Sequence, residues 1–125
     1  MIDTLPQALS AVHDAVLPCV FSSNAVTYLS RADRRRLAAI LARTGARRDL
    51  AVVLNETSGA GAEFFLDQRP AAAGLPSVLA VGLLTLITWR GGRAGVEVLA
   101  RTGPHGQWLE WTPRTYDYAS PDRLS

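Results

Sequence analysis

Lysine is absent from this sequence, and cysteine and methionine each occur once. A lone Cys19 excludes an internal disulfide and suits a reducing compartment, so a cytoplasmic location is expected. Every basic side chain other than histidine is arginine, 13 against 11 acids, which leaves a formal charge of +2. With the many Ala and Gly, this reads as codon bias in a GC-rich bacterium. A nucleic-acid surface carries a stronger basic excess, so no nucleic-acid partner is expected. Long hydrophobic runs are also missing. The longest, residues 78–87, contains Gly82 and Thr85 and is too short to span a bilayer. The opening Met-Ile-Asp-Thr has neither a basic region nor an apolar core of the secretory kind, and no membrane partner is expected. His13, Cys19 and His105 form no short-spaced ligand pair, and no metal is expected.

What is present is a chain of 125 residues, 48% hydrophobic, enough for one domain that buries roughly two-thirds of its unfolded surface. Asp3 or Thr4 is placed to cap a first helix with Pro6 in its first turn, and Leu5, Leu9, Val12 and Val16 form its stripe. Residues 17–22 read as a buried strand with Pro18 near its start. Ser30 followed by Asp33 resembles a capping box, Leu37, Ile40, Leu41 and Thr44 line one helical face, and Gly45 supplies a stop signal. A second buried strand is expected over residues 50–54. Residues 57–76 read as a long loop, with a helical turn over 63–67. Runs over 78–89 and 96–101 flank Arg90-Gly91-Gly92-Arg93, a hairpin signal with a loop somewhat longer than the two-residue type and with positive φ at one glycine or both. A short strand over 108–111 closes the series, giving a domain over 1–112 and a flexible tail over 113–125. The fold class expected is α/β: a βαβ unit, its strands parallel across a right-handed crossover, then an antiparallel β-meander, in one mixed sheet with helices on its faces.

Three segments carry a resemblance. Residues 20–29 (Val-Phe-Ser-Ser-Asn-Ala-Val-Thr-Tyr-Leu) and 53–56 (Val-Leu-Asn-Glu) resemble strand-end motifs of the bacterial domain of unknown function 2332 (DUF2332) family. The most specific match is the stretch from Leu99 to Trp111, in which a Pro104-His105-Gly106 turn precedes a tryptophan-bearing strand. The resemblance covers nearly the whole chain apart from the tail, and it is to the C-terminal portion of the family. It implies a partial Rossmann-like, methyltransferase-like sheet, and a gene product that is truncated or one piece of a split protein. Ser22 stands where the resemblance leads one to expect histidine.

Ligands of parallel sheets bind beyond the carboxyl ends of the strands. Ser23 and Asn24 end the first strand and Asn55 and Glu56 the second, so all four are candidates to line one pocket, with Glu56 as acid, base or hydroxyl acceptor. The competing reading has the asparagines satisfying turn backbone. His105 is a candidate proton shuttle or simply a turn histidine. Cys19 is expected to be buried and inert, the Arg34-Arg35-Arg36 run to be solvated, and Trp89, Trp108 and Trp111 to pack the sheet. Residues 51–61 superficially resemble a strand and cofactor loop, but have two glycines where the motif wants three, and no acidic strand end follows for a ribose. No cofactor is therefore expected, S-adenosylmethionine included. The expected function is that of a partial methyltransferase-like domain without its own cofactor loop. The alternative is a non-catalytic interaction or scaffold module, and the partner is a second copy or a protein that completes the sheet.

Overall fold

The computed structural model describes residues 2–57, 60–62, 65 and 82–119. A short 3-10 turn, Ile2–Thr4, leads into α1 (Leu5–Ala11), which carries Pro6 in its first turn. Thr4 occupies the cap position but makes no capping side-chain bond there. The helix is shorter than its apolar stripe suggests. Val12 is already extended and Val16 is exposed. The Arg48 guanidinium takes the chain over at this point, donating to the carbonyls of Val12 (2.9 Å), His13 (3.0 Å) and Val16 (2.8 Å).

β1 (Cys19–Ser23) is followed by a 3-10 turn, Val26–Tyr28, and by α2 (Arg31–Arg47). Ser30 caps α2 as its sequence predicts, its hydroxyl accepting from the Asp33 N–H at 3.1 Å. The buried face comprises Ala38, Ile40, Leu41, Thr44 and Gly45, with Leu37 packed beside it. Gly45 does not stop the helix. A Cβ there would overlap the Trp89 indole, so the glycine is required by close packing rather than by a left-handed turn. The arginine run is divided in its roles. Arg34 donates to the carbonyls of Val26 (3.2 Å) and Thr27 (2.9 Å), and Arg36 pairs with Asp3.

The remaining strands are β2 (Leu50–Thr57), β3 (Gly82–Arg90), β4 (Arg93–Thr102) and β5 (Leu109–Tyr116). They form one mixed sheet in the order β1-β2-β3-β4-β5, with β1 and β2 parallel and every other pair antiparallel. The α/β architecture, the βαβ unit and the meander are thus as expected. The β3–β4 turn is tighter than expected: Gly91 (φ 56°) and Gly92 (φ 78°) alone connect the paired Arg90 and Arg93. β5 runs to Tyr116 rather than ending at Trp111, and Ala119 then donates to the Phe65 carbonyl at 2.8 Å. The expected helical turn over 63–67 and the tail beyond 119 lie outside the described residues, Phe65 excepted.

Burial alternates along β2 and β3. Leu50, Val52, Leu54, Leu83, Ile87, Trp89, Val96 and Val98 join Ile40 and Leu41 of α2 in one core on one face of the sheet. The opposite face carries the cross-strand row Phe21, Val53, Leu86 and Glu97, and among the described residues no helix covers it. Trp89 is the one tryptophan that packs as expected, edge-on to Tyr118 at 5.6 Å, whereas Trp108 and Trp111 are exposed.

β1 is a sheet edge, and its burial differs from the expected buried strand. Cys19 is exposed and Phe21 is 67% exposed. In the parallel ladder, Ala51 donates to the Pro18 carbonyl and Asn24 donates to the Asn55 carbonyl. That parity turns the backbone groups of Val20 and Ser22 toward β2 and those of Cys19, Phe21 and Ser23 outward. Among the described residues no hydrogen bond reaches those outward groups.

Candidate functional site

The carboxyl ends of β1, β2 and β4 meet at one end of the sheet, because β4 runs parallel to β2 across the intervening β3. Ser23, Asn24, Asn55 and Glu56 lie there, with the 3-10 turn Pro104–Gly106 that carries His105 one residue beyond Thr102. The expectation that the first four face one crevice is not met. Successive strand residues point to opposite faces. Asn55 and Glu56 are therefore separated by the sheet itself.

On the open face, the Asn55 amide donates to the Ser23 hydroxyl at 3.2 Å, and its carbonyl oxygen accepts from the Thr102 hydroxyl at 2.7 Å. Gly82 lies between Asn55 and Thr102. A Cβ there would overlap the Thr102 hydroxyl and stand 3.2 Å from the Asn55 oxygen, so the missing side chain makes room for the bridge. Thr102 and Gly82 were not singled out by sequence, since only the β2–β3–β4 register brings them to Asn55. Asn24 sits in the left-handed region (φ 56°), a conformation asparagine tolerates better than most residues, and ends the ladder by donating to the Asn55 carbonyl at 3.0 Å.

On the core face, Glu56 is 1% exposed. Its Oε1 accepts three bonds, from the Ser22 hydroxyl (2.8 Å) and from the N–H groups of Ala25 (3.0 Å) and Val26 (3.0 Å). The carboxyl therefore holds the 3-10 turn after β1 onto the end of β2. Ser22, at the position where histidine was expected, supplies one of those donors. The second oxygen, Oε2, is buried without a partner, as are the Thr85 hydroxyl and the Arg101 Nε. All three belong to adjacent cross-strand rows, Leu54–Thr85–Val98 and Glu56–Leu83–Arg101. Buried polar groups without partners are uncommon in native proteins, and three in two neighbouring rows mark this sheet end as the polar part of the core. Arg101 reaches toward Glu110 on β5, with 4.0 Å between the nearest charged atoms. Among the described residues, no group of three His, Cys, Asp or Glu is arranged to hold a metal, and no helix is long and apolar enough to cross a membrane.

The model of one family, described as an uncharacterised protein conserved in bacteria (DUF2332), matches residues 1–111. The chain belongs to that family. The match takes in β1, α2, β2, the β3–β4 hairpin and the first residues of β5, so both faces of the polar sheet end are DUF2332 structure. No curated protein and no solved structure matches the chain. Membership establishes bacterial kinship and brings no assigned reaction to Glu56, Asn55 or His105.

Proposed function

We propose that this chain is a partial, methyltransferase-like α/β unit that works as one piece of a larger or split assembly, its sheet completed along β1 by strands from outside residues 1–125. The supporting observation is the contrast between the two edges of the sheet. β5 carries the devices that discourage strand addition: Glu110, Arg114 and, at the register irregularity, Pro113. β1 has none within its span. No charged residue occurs from Ala15 to Ser30, and Val16, Leu17 and Phe21 are exposed beside outward backbone groups. A parallel, uncharged edge strand with apolar flanks has the character of an interior strand that lacks a neighbour.

The alternative of a non-catalytic interaction module shares this edge. It gains from the bonding of the candidate site, where Ser23, Asn55 and Thr102 satisfy one another and Glu56 Oε1 is fully engaged in holding a turn. In either case recognition is by strand addition, with main-chain hydrogen bonds supplying affinity and Phe21 supplying specificity.

Amide hydrogen exchange on the dilute chain tests the reading. The N–H groups of Val20, Ser22 and Asn24 should be protected, and those of Cys19, Phe21 and Ser23 should exchange at close to unprotected rates. Equal protection of all six would mean that the chain covers its own edge, and the proposal would fall.

A further inference from the structure

We infer that the occupant of the β1 edge is a second copy of this chain, paired antiparallel about a two-fold axis through Phe21. The inference rests on the open-edge reading above and adds the partner and its register. In an antiparallel pair, residues with outward backbone groups face each other and exchange both hydrogen bonds. The outward residues of β1 are Cys19, Phe21 and Ser23. Setting Cys19 opposite Ser23 of the second copy, and Phe21 opposite its own symmetry mate, is the one register that pairs all three. It supplies about six backbone hydrogen bonds and covers the β1 edges of both copies at once.

Charge selects a second copy over a partner of different chemistry. A two-fold axis lays this segment against itself, so any charge in it would meet its like. There is none between Asp14 and Arg31, and the whole chain carries only +2. Phe21 shares the open face with Val53 and Leu86, its partners across the sheet. The two-fold sets the two phenylalanines side by side and joins these rows into one apolar band across both copies. Cross-strand aromatic pairs of this kind stabilise sheets.

The native Cys19 provides the test. In this register Cys19 lies opposite position 23 of the second copy at a Cα separation of about 5.5 Å, within disulfide range, while the two Cys19 residues lie roughly 14 Å apart. The Ser23→Cys variant of the full chain should therefore give a doubly cross-linked dimer on mild oxidation, at least about ten-fold more than wild type. Sedimentation should show a concentration-dependent dimer for the reduced forms of both. Cross-linking of wild type as efficient as that of the variant would overturn the register. A folded, cooperatively melting monomer at every concentration, with no cross-linking, would overturn the second-copy inference. In that last case, fast exchange of the Cys19, Phe21 and Ser23 amides would leave the open-edge reading standing, and their protection would sink both.

Discussion

Glu56 gives the sharpest test of how the polar sheet end is held together. Replacement by alanine strands three donors that now share Oε1: the Ser22 hydroxyl and the N–H groups of Ala25 and Val26. Each unsatisfied buried donor costs about 1–3 kcal/mol. The Ser22 hydroxyl can rotate toward another acceptor and Ala25 is only partly buried, so the lower end applies to both, while Val26 is fully buried. A loss of about 3–5 kcal/mol follows, including a small cavity. The Glu56→Gln variant keeps an oxygen in the Oε1 position and puts an amide nitrogen where Oε2 has no partner, so it should recover more than half of that loss. Urea denaturation of the three proteins, fitted with a common slope, measures both differences. An alanine variant within about 1 kcal/mol of wild type would refute the view that this carboxyl holds the turn after β1.

Three further outcomes follow from the packing. Gly45→Ala, which in an exposed helix would stabilise by about 0.8–1 kcal/mol, should here destabilise by about 1–3 kcal/mol, because its Cβ overlaps the Trp89 indole; a higher melting temperature would contradict the packing. Replacing Gly91 and Gly92 together with valine should cost roughly 1–3 kcal/mol from positive φ alone, since among the described residues a Cβ on either would meet nothing within 4 Å, and an unchanged melt would contradict the two-residue turn. Val20→Pro removes an N–H directed at β2 and should cost about 3 kcal/mol or more, whereas Phe21→Pro, at an outward N–H, should leave a folded chain that no longer self-associates. Equal destabilisation by the two prolines would contradict the assigned parity.

Elements set by local signals were legible in the sequence. Ser30 and the apolar spacing of α2 predict its start and buried face, and paired glycines between branched runs predict the β3–β4 hairpin. Features decided by distant residues were not. Gly45 carries the local signature of a helix end, yet a tryptophan from β3 determines why glycine is there. Residues 17–22 read as buried because an apolar run does not disclose whether both of its sides have neighbours, and among the described residues β1 has one. At the site, Asn55 and Glu56 were recognisable as a strand end, and the period of two along a strand separates them onto opposite faces. Thr102 and Gly82 reach Asn55 only through the sheet register, including the β3–β4 irregularity between Leu84 and Thr85, which no local pattern encodes.

The open edge of β1 is the claim on which the proposed function depends, and through-hydrogen-bond scalar couplings on isotope-labelled protein read it most directly. At low concentration couplings are expected from Asn24 N–H to the Asn55 carbonyl and from Ala51 N–H to the Pro18 carbonyl, with none from Phe21 N–H. At high concentration, a mixture of separately 15N- and 13C-labelled chains should show an intermolecular coupling from Phe21 N–H to the Phe21 carbonyl of the other copy. A Phe21 coupling to any carbonyl of its own chain at low concentration would contradict the account.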